Sequence, residues 1–217
     1  MELILSAIEV RILGCLIEKQ ATTPDVYPLT LNALLTACNQ KSNREPVMEL
    51  AEIEVQEALD SLSREMLISS RSASDSRVIK YSHRMRDRRT PEFDFEQAEL
   101  AVVAVLLLRG PQTLGEIRTR SSRIYQFDDM QALSASLKKL AERSDGPYVK
   151  QLPRHPGQKE ARYMHLFAGE VEDTPQAVST VNTSKAQTVE LEQRLSQLEE
   201  KFSTLQAEFQ SFVKQFE

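Results

Sequence analysis

Two stretches far apart in this chain close on the same four-residue pattern, Lys80-Tyr81-Ser82-His83 and Arg162-Tyr163-Met164-His165. Each is the second half of a pair of short runs: residues 67–71 with 77–84, and residues 148–152 with 161–167. Between the runs lie tips rich in turn formers, residues 72–76 and 153–160, so each pair reads as a β-hairpin. A hairpin buries little surface alone and has to lie against something larger.

That larger body also recurs. Ser6-x-x-Glu9 has the spacing of a capping box, and Ile8, Ile12, Leu13, Leu16 and Ile17 follow at helical spacing. Asp94-x-x-Gln97 repeats the cap ahead of Leu100, Val103, Ala104 and Leu107, in a helix apolar enough all round to be buried more completely. Second helices are predicted over residues 29–39 and 114–124, the latter capped by Thr113 with Glu116. Third helices are predicted over 52–66 and 129–143, with Asp128 and Gln131 capping the second of these and Ala51 a poor cap for the first. Three helices and a hairpin, twice, is the order of two winged-helix domains arising from an internal duplication. The expected fold is therefore mainly α with small β-hairpins (α+β): a winged helix over residues 1–84, a basic linker over 85–92 and a second winged helix over 93–168.

Residues 27–47, YPLTLNALLTACNQKSNREPV, and residues 152–166, LPRHPGQKEARYMHL, resemble two signatures of the YceH-like family of uncharacterised bacterial proteins. The resemblance covers roughly residues 2 to 168 and implies tandem winged helices, without implying an activity.

Beyond residue 168 the composition turns polar over 169–187, which reads as a flexible linker. From there to residue 217, Leu191, Leu195, Leu198, Phe202, Leu205, Phe209, Phe212 and Phe216 alternate steps of four and three, a heptad seam expected to drive homo-oligomerisation as a coiled coil. In a parallel dimer Arg194 would face Glu199 of the other copy, while phenylalanine at the a positions is bulky for two strands and leaves the oligomer order open.

Composition narrows the function classes. A net charge of -5 argues against indiscriminate coating of nucleic acid, although a local basic surface is compatible with it. The longest apolar run, residues 101–108, falls far short of the ~20 residues that cross a bilayer, and Glu2 and Glu9 sit where a secretory signal needs basic and apolar residues. A cytoplasmic protein with no membrane partner is expected. Cys15 and Cys38 lie on apolar helical faces without Cys-x-x-Cys spacing and read as reduced core residues; a zinc site from them with His83 has no recognised spacing. No Gly-rich phosphate loop or nucleophile elbow is present, so neither an enzyme, a metal nor a cofactor is expected.

A winged helix reads DNA with its third helix in the major groove and its wing on the backbone. The first copy is poorly suited, because its third helix carries Glu52, Glu54, Glu57, Asp60 and Glu65 against Arg64. The second offers Lys138, Lys139 and Arg143 on the third helix, Arg118, Arg120 and Arg123 on the second, and Arg154, Lys159 and Arg162 on the wing. The turn holding Lys41, Asn43 and Arg44 combines a point charge, an amide and a fork donor. It reads either as a binding surface or as a helix end that the asparagines cap, with Arg44 paired to an acid of the third helix. Tyr81 with His83, and Tyr163 with His165, read as fold requirements, since both copies keep them. Two partners follow as expectations: double-stranded DNA bound by the second copy in a regulatory role, or another protein docked by an adaptor that binds no DNA.

Overall fold

A computed structural model of the chain describes residues 4–72, 78–86, 94–154 and 160–169. Lys159 of the second wing and the whole heptad seam, Leu191 to Phe216, lie outside the described residues. Both copies fall within one unit, Met1–Asp173. Among the described residues no helix is long and apolar enough to cross a membrane.

The first copy runs α1 (Ala7–Thr22), β1 (Leu29–Thr30), α2 (Leu31–Cys38), α3 (Glu52–Arg64), β2 (Ile68–Ser72) and β3 (Ile79–His83). The second repeats it as α4 (Gln97–Arg109), β4 (Gln112–Thr113), α5 (Leu114–Ser121), α6 (Met130–Glu142), β5 (Val149–Gln151) and β6 (Arg162–His165). The fold is thus mixed, with six α-helices among the described residues and two small antiparallel sheets. The hairpins acquire a third strand that the sequence pattern did not reveal. Residues 29–30 and 112–113 are extended and pair with the returning strand, giving the orders β1-β3-β2 and β4-β6-β5. A two-residue strand has no readable alternation, which is why it passes for the start of a helix.

Register makes the duplication visible at single-residue level. Leu29 pairs with Tyr81 and Gln112 with Tyr163, while Ile68 pairs with His83 and Val149 with His165. The threonine that ends each short strand also caps the next helix: Thr30 accepts from the Ala33 amide and Thr113 from the Glu116 amide.

Local signals place the other helix starts with small shifts. Ser6 and Glu9 form the expected reciprocal box. The second long helix is capped at Glu96, whose amide donates to Glu99, and not at Asp94, which instead bridges to Arg86. In α6 the cap is Asp129, accepting from the Ala132 amide, one residue after the expected Asp128. Ala51 supplies no side-chain cap, and Glu54 alone reaches back to its amide.

The copies share their core. Every residue of α4 from Leu100 to Leu108 is buried, because α5 and α6 cover one side and α1 covers the other. Close approach of α1 and α4 depends on Gly14, since a Cβ there would stand 2.9 Å from Leu108 Cγ and 3.0 Å from Leu107 Cβ. Leu107 Cβ is fixed to the backbone and cannot rotate aside. Gly14→Ala is accordingly expected to destabilise by roughly 1–3 kcal/mol of overpacking, less about 1 kcal/mol of helix propensity gained. Urea denaturation checks this, and a stabilised variant would mean that α1 and α4 separate easily. Two backbone bonds add to the junction within this unit: the Glu45 amide donates to Leu108 O at 2.8 Å, and the Leu5 amide to Phe167 O at 2.7 Å.

Candidate nucleic-acid interface

In both copies the third helix is 13 residues long and buries the same register, Val55, Ala58, Leu59 and Leu62 in α3 against Leu133, Ser136, Leu137 and Leu140 in α6. The outer faces can therefore be compared position by position. On α6, Gln131, Ser134, Ala135 and Lys138 are exposed at spacings that put them on one face. The equivalent positions on α3 are Ile53, Gln56, Glu57 and Asp60. Over these four positions one outer face is small with a single lysine, the other acidic with Ile53 65% exposed at its start.

The eight described cations of the nine expected on the second copy separate into classes once their partners are known. Lys138 and Lys139 are open to solvent, with loose pairs to Glu142 at 3.9 Å and Glu96 at 3.2 Å that water screens. Arg118 is exposed and spends one donor on Asp128 O. Arg154 is exposed in the segment that follows β5. Arg162 is half-buried and touches Pro111 O at 3.4 Å. Arg120 pairs with Gln112 and, at 3.6 Å, with Glu116, while Arg123 pairs with Glu18 of the first copy.

Arg143 is scaffold rather than surface. Its guanidinium makes two 2.9 Å bonds to Asp145, lies 4.6 Å from the centroid of the Phe95 ring and stands 3.8 Å from Glu99. Hydrogen bonding to Asp145, outweighing the burial that opposes it, raises its pKa above the ordinary arginine value. Holding its only charge between an aromatic face and two carboxylates leaves it little to offer a phosphate.

Arg44 belongs in the same class, which removes it from any binding surface. Its side chain is fully buried, with Nη2 2.7 Å from Glu18 Oε2, Nη1 3.1 Å from Glu18 Oε1 and Nε 3.0 Å from Ala37 O. The partner is an acid of α1, not of the third helix. Burial disfavours the charge, yet the Glu18 hydrogen bonds and charge outweigh it and the pKa is raised. Asn43 takes a left-handed backbone, φ 59°, and its side chain accepts from Arg109 at the end of α4. Asn39 ties the second-helix end to the next segment through both bonds with Leu50, at 2.8 and 2.9 Å. Of Lys41, Asn43 and Arg44, Lys41 is the exposed one.

Beneath it lies a polar stripe that sequence reasoning missed. Arg11, Cys15 and Glu18 are spaced along one face of α1 and all are buried. Arg11 donates to Cys38 O at 3.2 Å and Pro46 O at 2.5 Å, and Cys15 Sγ donates to Ala37 O at 3.4 Å. Both cysteines are free thiols in the core. Two charges seven residues apart in the middle of an apolar helix were the available signal, because they share a face only if something polar meets them there.

The repeated Tyr-x-His pairs are packed as fold elements. Tyr81 is buried, and His83 bonds Gln20 through Nε2 at 2.7 Å while Nδ1 accepts from the Met85 amide at 3.3 Å. His165 is buried likewise, but its Nδ1 has no hydrogen-bond partner. Among the described residues no group of three His, Cys, Asp or Glu side chains is arranged to hold a metal ion. A family model described as "Protein of unknown function, DUF480" matches residues 5–158, more than half of the chain.

Proposed function

The chain belongs to the DUF480 family, whose description carries no function, and we propose that it is a nucleic-acid-binding regulatory protein that engages duplex DNA through its second copy. The reading takes each copy as a winged helix, in keeping with the resemblance to YceH-like proteins, and takes α6 as the helix that enters the major groove. One observation carries it: where α3 has Glu57 and Asp60 on its outer face, α6 has Ala135 and Lys138. Alanine and serine let a helix backbone approach a duplex closely, and lysine neutralises phosphate where an acid would repel it. Lys139, Arg118 and Arg154 extend the same sign of charge. The heptad seam would pair two such surfaces in an oligomer and allow two half-sites to be read together.

Lys138→Glu with Lys139→Glu is expected to abolish binding to a mixed-sequence duplex, read by fluorescence anisotropy over a salt titration. Each lost phosphate contact should lower the slope of log affinity against log salt by about one. Stability should change by less than about 0.5 kcal/mol per site, because these side chains point into water. Equal affinity of wild type and variant removes the assignment. The second reading, a protein adaptor, rests on the exposed acids of α3 beside Ile53. It predicts no duplex affinity even at low salt, so the same titration separates the two.

A further inference from the structure

Arg109 stands at the end of α4 in an unusual situation for a half-buried cation. Among the described residues its one side-chain bond goes to a neutral amide, Asn43 Oδ1, and no carboxylate of those residues forms an ion pair with it. Two further guanidiniums share the locality. Gln112 accepts from Arg120 through Oε1 and donates through Nε2 to the Arg109 backbone carbonyl at 3.1 Å, which ties the Arg120 side chain to the end of α4. Arg123 closes the other side by pairing with Glu18, which is already shared with Arg44, whose neighbour Asn43 holds Arg109. Burial, and then the charges of Arg120 and Arg123, push the Arg109 pKa down, only partly offset by Glu45 and Glu18.

Three fork donors gathered at one junction, one of them in no ion pair, leave electrostatic work undone. A tetrahedral oxyanion supplies what is lacking, because it accepts paired N–H bonds from several guanidiniums at once. We propose that the junction of the two copies binds a phosphate-bearing anion, held by Arg109 from α4 and by Arg120 and Arg123 from α5 and the turn after it. Each of the three side chains retains unused N–H groups, and the Arg123 side chain is 42% exposed, so the anion has a way in from solvent. The three arginines lie on α4, on α5 and just after it, and the proposal stands whether or not the outer face of α6 binds a duplex.

Inorganic pyrophosphate is the probe, titrated into the full chain by calorimetry and by thermal melting, with sodium chloride at matched ionic strength as the reference. Saturable binding with a raised melting temperature is expected. Arg109→Gln with Arg120→Gln should weaken it at least ~10-fold, the value of one or two charged hydrogen bonds. Arg109→Lys should fall between, keeping the charge and losing the fork. Lys138→Ala should leave it unchanged, so a failure on duplex DNA and a failure here are read from different variants. Should the double variant fail to fold, Arg120→Gln alone carries the measurement, because that side chain is part-exposed. Displacement of pyrophosphate by a short duplex marks the nucleic-acid backbone as the source of the phosphate, and absence of displacement marks a free small anion. No response beyond that of matched salt, or equal affinity in the Arg109 variants, overturns the proposal. It would leave the three arginines as complements to the carboxyl ends of α4 and α5.

Discussion

Glu18→Gln is expected to destabilise the protein by ~3–5 kcal/mol, the cost of breaking a buried ion pair by removing one partner. The Glu18 and Arg44 side chains are 1% and 0% exposed, so the amide variant leaves a full positive charge in the core with no water to solvate it. The third member of the cluster behaves differently. Arg123 meets the same carboxylate from a side chain 42% exposed, and Arg123→Ala should cost less than ~1 kcal/mol. Pairing Glu18→Gln with Arg44→Met should recover part of the loss, because the charge and its partner then leave together. Urea denaturation of the three variants reads all of this, and a Glu18→Gln cost within about 1 kcal/mol would show that the pair is not what holds the 39–46 turn to α1.

Lowering the pH from 6.5 towards 4 should remove up to about 3 kcal/mol of stability for each of His83 and His165. Burial pushes both imidazoles down from 6.5 to about 4. The unfolded chain thus takes up these protons near pH 6.5, whereas the folded protein resists them until about pH 4. Between those values the unfolded state binds more protons, so stability is complete above the unfolded value and falls as pH drops through the window. Below about 4 both states are protonated and the histidines cost nothing further. His83 gives the structural reason: Nε2 faces Gln20 Oε1 and Nδ1 already accepts from the Met85 amide, so a second ring proton would break that bond. Denaturation midpoints at half-unit steps from pH 7 to 4.5 provide the test. His83→Gln with His165→Gln should flatten the slope between 6.5 and 5, and an unaltered slope would trace the acid sensitivity to other groups.

Much of the architecture was legible because its causes are local. A capping box, a threonine N-cap and an apolar repeat act over three or four residues, and Ser6, Thr113 and the Leu100 to Leu107 stripe announced their helices within a residue or so. The hairpins and the duplication were equally open to reading, since alternation and turn formers mark strands, and the two Tyr-x-His endings occupy matching registers in the two sheets. Errors fell where local rules tie: Asp94 and Glu96 both sit three residues before a plausible capping partner, and the helix starts after Glu96.

The candidate site was legible only as a list of cations. Its sign and its place on the second copy follow from which residues occupy α5 and α6, and periodicity alone puts Lys138 on an outer face. What each cation does was decided by partners far away in the chain, and no local pattern encodes those. Arg44 and Lys41 look alike in a polar turn, yet one is fully buried against Glu18 and the other is exposed. Arg143 and Lys139 end the same helix, yet one is stacked on Phe95 and clamped by Asp145 while the other stays in water. Sequence by itself determined which segments form helices and strands, because that choice is settled among near neighbours. Only the tertiary structure decided which charges face inward, because a buried guanidinium is tolerated only where a carboxylate, backbone carbonyls or an aromatic face from elsewhere in the chain meet it, and that meeting exists once α1, the 39–46 turn and α4 have packed together.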